Sequence, residues 1–152
     1  MGKCKFTGGV NIQNGPHGQG TAVNEYGWRY RYEGTFKDGS LVKGKQFFSG
    51  ALHYEGEFSG GTRHGMGTEF HPDGYVDTGR WEKGQGLVDG TRTFPDGTVY
   101  TGRYVWGNLV DGTRTSPNGT VDTGRFEKGG LVDGTRTFPN GTVRKRVNGK
   151  WL

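Results

Sequence analysis

Four histidines, one cysteine and fifteen acidic residues are the groups with which this chain could do chemistry. Their spacing argues against a catalytic centre. His17 and His64 fall in the equivalent contexts PHGQG and RHGMG, so each is one instance of a pattern. His53 and His71 stand at no ligand spacing from another His or Cys, and neither a metal nor a cofactor is expected. The carboxylates recur in repeated contexts, and identical environments cannot push two pKa values apart as an acid–base pair requires. The glycine-rich stretches are followed by no helical periodicity, which a phosphate-cradling loop needs. The chain reads as a non-enzyme.

Its arginines are better suited to binding. Arg80, Arg103 and Arg125 each follow a recurring glycine, and Arg92, Arg114 and Arg136 recur in a Thr-Arg-Thr segment. Such columns are suited to bidentate pairing with acidic side chains or lipid phosphates. The same repeats carry Asp89, Asp111, Asp133, Glu82 and Glu127, so a cross-strand ladder of ion pairs is the plainer expectation. Near the end, Arg144, Lys145, Arg146 and Lys150 stand beside Trp151. Each such cation gains about 1 kcal/mol near an anionic membrane surface. MGKCKF offers Gly2 as a myristoyl acceptor and Cys4 for a second lipid, but Phe6 occupies the place where that signal needs Ser or Thr.

What must position these groups is a repeat. LVDGTRTFPDGTV at Leu87 to Val99 returns as LVDGTRTSPNGTV at Leu109 to Val121 and as LVDGTRTFPNGTV at Leu131 to Val143. An enzyme needs one special place, whereas a repeated phrase builds a repeated surface. A glycine two residues before an aromatic recurs at Gly34, Gly56, Gly79, Gly102 and Gly124, with spacings of 22, 23, 23 and 22 residues. A degenerate copy stands at Gly8, and in TVRKRVNGKWL Arg146 takes the glycine's place. Terminal copies of an array are atypical because one flank has no neighbour.

Each unit holds two segments rich in Val, Thr and aromatics, joined by a short Gly-containing loop and a Pro-Asp/Asn-Gly turn. It is therefore a β-hairpin. About six copies joined edge to edge give about twelve strands and a sheet nearly 60 Å long, twisted rather than flat. Residues 1–31 are expected to form a degenerate repeat or cap, 32–143 the tandem hairpins, and 144–152 a basic cap or tail. Glycine lacks a side chain to pack, so rings from neighbouring strands are expected to lie across the bare backbone.

Composition fits a thin structure. Apolar residues make up 29% of the 152, Gly numbers 32, and aromatics reach 13%. A few rings per repeat, each burying roughly 150–250 Å², must do most of the packing. The column Phe36, Phe58, Trp81, Tyr104 and Phe126 is the expected core. A single-layer sheet cannot bury both faces, so part of this column, or Tyr32, Tyr54 and Tyr100 beside it, is also the candidate partner-binding surface. Net charge is +5, but residues 33–143 sum to −2, so nucleic acid is not an expected partner. No apolar run is long enough to span a membrane, no leader is recognisable, and a single Cys fits a reducing compartment. The expected location is intracellular: cytoplasmic, or peripheral to a membrane.

YEGEFSGGTRHGMGTEFHPDG, Tyr54 to Gly74, resembles a MORN (membrane occupation and recognition nexus) repeat, and PHGQGTAVNEYG, Pro16 to Gly27, resembles its second half. Later copies depart from that pattern, with Val88-Asp89-Gly90 where Gly65-Met66-Gly67 stands. The resemblance implies an elongated, hairpin-stacked solenoid that acts as a scaffold, binding partner proteins or acidic phospholipids, with dimers in some members. The reading is an all-β, elongated, single-layer antiparallel sheet working as an interaction module for a protein partner or for itself as a homodimer. Its alternative is a peripheral module that holds acidic lipid through Arg80, Arg103, Arg125, Arg144, Lys145 and Arg146.

Overall fold

The computed structural model describes residues 4–11, 15–24 and 29–152; Gly2, named above as a candidate lipid acceptor, lies outside them. Fourteen strands form one antiparallel sheet in chain order, and every neighbour in sequence is a neighbour in space. They are β1 (Cys4–Asn11), β2 (Gly15–Asn24), β3 (Tyr30–Lys37), β4 (Ser40–Phe48), β5 (Ala51–Ser59), β6 (Thr62–Phe70) and β7 (Val76–Glu82). The series continues with β8 (Gly86–Thr93), β9 (Val99–Val105), β10 (Asn108–Thr115), β11 (Val121–Glu127), β12 (Gly130–Thr137), β13 (Val143–Val147) and β14 (Lys150–Trp151). No helix occurs among the described residues. The all-β single layer of stacked hairpins is as the repeats imply, with fourteen strands where about twelve were expected. Residues 144–152, read as a basic cap or tail, carry most of β13 and all of β14 of the same sheet.

The phrase Leu-Val-Asp-Gly decodes residue by residue. The Leu points inward opposite the ring of the preceding strand: Leu87 pairs with Trp81, Leu109 with Tyr104 and Leu131 with Phe126. The Val is the extra residue of a bulge, since the register shifts there in each of these pairs. The Asp then faces outward, and the Gly inward. In the following Thr-Arg-Thr, both threonines face out and the arginine faces in.

Turn chemistry closes each unit. The Phe94 N–H donates to the Thr98 carbonyl at 2.9 Å, and Asp96 Oδ1 accepts from the Thr98 N–H at 2.8 Å. Asn118 and Asn140 serve Thr120 and Thr142 in the same way, at 2.9 Å each. At the opposite edge, pairs such as Trp106-Gly107 and Lys128-Gly129 take positive φ at both residues, as a two-residue hairpin loop demands.

Down the middle runs a row of glycines, one per strand from β1 to β12. Gly8, Gly20, Gly34, Gly44, Gly56, Gly67, Gly79, Gly90, Gly102, Gly112, Gly124 and Gly134 pair in unbroken succession, and Gly134 then faces Arg146. Ten of them hold φ between 143° and 159°, a region essentially reserved for glycine. The expectation that rings cover these glycines is met at the near end of the sheet, where Phe6 lies over Gly8 and Gly20, and Tyr54 over Gly56 and Gly67. At Gly34, Gly44 and from Gly79 to Gly134 the space is filled instead by the facing backbone: a Cβ on Gly102 would overlap the Asp111 carbonyl oxygen and lie 2.7 Å from the Gly112 Cα.

The consequence is a crease. The Tyr104 hydroxyl donates to the Tyr100 carbonyl at 2.9 Å. In a straight strand those residues stand about 13 Å apart, so β9 must bend at Gly102. Arg92 Nη1 reaches the Gly107 carbonyl at 3.2 Å and Arg114 Nη1 the Gly129 carbonyl at 2.8 Å, each spanning the row to the next hairpin's tip. Folded along its glycines, one sheet makes a trough that covers its own apolar side chains. Phe36, Phe58, Trp81, Tyr104, Phe126, Tyr54 and the inward leucines are all buried there.

Burial pushes the Tyr54 and Tyr104 phenols up to about 12, partly opposed by Arg63 and Arg92. The neutral phenol is thus favoured by the fold, so this stabilisation is complete below about pH 10 and lost as pH rises through about 12. Removing the hydroxyl in Tyr104→Phe leaves the Tyr100 carbonyl without that donor and is expected to cost about 1 kcal/mol in a denaturant titration.

Candidate interaction surface

On the trough side, charges are built into the core. Asp77 and Asp122 are each 2% exposed. Asp77 takes a bidentate pair from Arg92, at 2.6 and 2.7 Å. Asp122 takes Arg136 at 2.6 and 2.8 Å and Arg114 at 2.7 Å. The guanidinium groups also lie on rings: Arg92 is 4.9 Å from the Tyr75 centroid and Arg114 is 5.5 Å from that of Phe126. Burial pushes the Asp122 pKa up, but hydrogen bonds from Arg136 and Arg114 outweigh it and hold the carboxyl below its usual range. The Thr-Arg-Thr arginines therefore pair, though not with the acids expected. Asp77 and Asp122 were missed; they stand where Tyr32, Tyr54 and Tyr100 stand in other copies.

The expected aromatic surface is in the trough. Phe36, Phe58, Trp81, Tyr104, Phe126 and Tyr54 are buried, while Tyr32 and Tyr100 are half-buried. Tyr32 accepts a hydrogen bond from Gln46 at 3.2 Å, and Tyr100 packs edge-on to Phe94. A groove of about 410 Å³ opens between Phe58, Trp81, Arg63 and Glu69. Arg63 there is already held by Gln46 and Glu69, and lies over the Tyr54 ring. Glu69, His71 and Asp77 bring ligand atoms within 4.8 Å of one another, a grouping the sequence spacing hid. His71 lies 3.1 Å from Asp77 and 3.3 Å from Glu69, and Arg63 and Arg92 occupy the same carboxylates.

The outward side is different in kind. Arg80, Asp89, Arg103, Asp111, Arg125 and Asp133 pair in turn across six strands. Arg80 bonds Glu82, and Arg125 bonds both Glu127 and Asp133. Among the described residues, Asp89, Arg103 and Asp111 make no ion pair or side-chain hydrogen bond. Beside this row runs a second, in which Thr68, Thr78, Thr91, Thr101, Thr113, Thr123 and Thr135 follow one another across seven strands. Their hydroxyls touch in pairs, Thr91 with Thr101 at 3.0 Å and Thr113 with Thr123 at 3.3 Å. Trp106, 74% exposed at a hairpin tip, projects beyond the edge.

At the end of the sheet, Arg136, Arg144 and Arg146 surround the Trp151 ring at 4.9, 5.4 and 5.0 Å. Arg144 and Lys145 are exposed, whereas Arg146 is half-buried and bonds the Gly149 carbonyl at 2.9 Å. Among the described residues no helix is long and apolar enough to cross a membrane.

These features define a tandem β-hairpin protein with a trough whose buried carboxylates are paired within the chain and an open, periodic outer face. No protein-family model matches the chain, and no curated protein matches it.

Proposed function

We propose that this chain is a non-enzymatic scaffold, an interaction module that binds a partner protein or itself. The observation that carries the reading is the contrast between its faces. In the trough, the buried carboxylates have cationic partners within the chain. On the outer face, a regular array of hydroxyls, methyls and charges faces solvent, including Asp89, Arg103 and Asp111, which make no ion pair among the described residues. The resemblance to MORN repeats supports the same role. The aromatic column supports it indirectly, as the core that holds the outer rows in register.

The test uses the whole chain as bait, with Thr101→Arg and Thr113→Arg together as the altered outer face. Proteins retained by the native chain and lost by the doubly substituted one, at unchanged circular dichroism, support the reading. Retention unaffected by the substitutions would place binding elsewhere. Vesicle pelleting serves the peripheral-membrane alternative: salt-sensitive binding to anionic vesicles, abolished when Arg144, Lys145 and Arg146 become Ala, replaces the protein-scaffold reading with a lipid one.

A further inference from the structure

We propose that the outer face of β6–β13 is the contact between two copies of this chain, packed face to face about a two-fold axis. The axis runs parallel to the strands, between β9 and β10. The proposal rests on the scaffold reading and names its partner.

The argument starts from the charge row. Reading across the sheet, Arg80, Asp89, Arg103, Asp111, Arg125 and Asp133 alternate in sign, one residue per strand. A two-fold contact sets a surface against its own reversal. An alternating row with an odd number of members would then oppose like charges at every position. A row of six opposes unlike charges throughout. Arg103 meets Asp111 of the second copy, Asp89 meets Arg125, and Arg80 meets Asp133. Asp89, Arg103 and Asp111, which make no ion pair or side-chain hydrogen bond among the described residues, stand on the two strands at the axis and the one beside them.

The threonine row beside it fits the same axis. Thr78, Thr91, Thr101, Thr113, Thr123 and Thr135 meet threonines of the second copy, and Thr68 at one end meets Lys145 at the other. Several of these hydroxyls are already bonded in pairs, so covering them leaves few orphaned polar groups. The patch also has a boundary. In β3–β5 the threonine positions hold Glu33, Lys45 and Glu55, tied up within the chain by Arg31–Glu33 at 2.8 Å and Lys45–Glu55 at 3.7 Å.

The glycine crease runs between the threonine row and the charge row, so the outer face is convex there. The copies meet along the two rows that flank the crest, about 34 by 10 Å or about 340 Å² per copy, the scale of a weak association rather than the roughly 800 Å² per partner of a standard interface. The charges form one of these two rows, where they set register and partner choice more than affinity.

Sedimentation equilibrium of the full chain, at low and moderate salt, decides the matter. The native chain is expected to dimerise. R103D opposes carboxylate to carboxylate and D111R opposes guanidinium to guanidinium, and each should weaken the dimer at least tenfold. Combined, R103D and D111R restore opposite signs at every position and should restore the dimer. Arg103 and Asp111, each opposed by the other across the axis, lie on the surface, and circular dichroism checks that each variant is folded. A native chain that stays monomeric overturns the proposal, and so does a dimer indifferent to the single substitutions, which would be joined by strand edges. A monomer that still loses its retained proteins on Thr101→Arg with Thr113→Arg keeps the scaffold reading while removing this one.

Discussion

Gly102→Ala is expected to lower the stability of the sheet by about 4 kcal/mol or more, while the same change at Gly107, five residues away, costs only about 1–2 kcal/mol. Both glycines have positive φ, 148° and 78° respectively, so a conformational penalty applies to each. What separates them is space. Nothing lies within 4 Å of a Cβ on Gly107, which sits at a hairpin tip. A Cβ on Gly102 meets the backbone of β10, and backbone cannot swing aside as the end of a long side chain can. Relief requires β9 and β10 to part at the crease, which releases the Tyr104 hydroxyl from Tyr100 and uncovers the Leu109 contact.

Because each hairpin touches only its neighbours, the damage should be local. Amide exchange in Gly102→Ala should accelerate most in β9 and β10 and their immediate neighbours, with β3–β5 close to native rates. Equal losses at Gly102 and Gly107, or uniform loosening of the whole sheet, would mean that the glycine row is not what shapes the trough.

Much of this architecture is legible in the chain. The twofold alternation, the Pro-Asp/Asn-Gly turns and the spacing of 22 or 23 residues specify hairpins, and edge-to-edge stacking follows because one hairpin cannot bury its own rings. Arg146 replaces glycine where the row meets its thirteenth strand, and Leu87, Leu109 and Leu131 recur opposite rings, both traceable to the repeat itself. The partners of the arginines are harder to read. Asp89 and Arg92 are three residues apart, an odd separation, so they face opposite sides of β8 and cannot ladder together. Parity alone rules that pair out, but naming Asp77 instead requires the cross-strand register, which depends on the bulge at Val88. The buried rings were underestimated for a related reason. A flat sheet exposes one side of them, and the φ near 150° that folds the sheet over them leaves no mark in composition beyond the presence of glycine.

The second large effect concerns Asp122, the carboxylate that holds two arginines at once. Asp122→Asn keeps the volume but removes the charge from between Arg114 and Arg136, and breaking a buried pair this way costs about 3 kcal/mol or more. Asp122→Tyr is the informative companion. It installs the side chain that Tyr100 carries at the equivalent position, on which a guanidinium can lie, so it should lose less than Asp122→Asn. The pH dependence gives an independent signature. Hydrogen bonds from the two arginines, outweighing burial, depress the Asp122 pKa in the folded chain relative to the unfolded one. Its contribution is therefore present in full above the unfolded value, near 4, and is lost as pH falls through the folded value. Denaturant titrations of the native chain and Asp122→Asn should differ most at neutral pH and converge on acidification. Parallel curves down to about pH 2 would show that the carboxyl's charge is not what holds Arg114 and Arg136, leaving the hydrogen bonds and the rings beneath them as the source of the trough's stability.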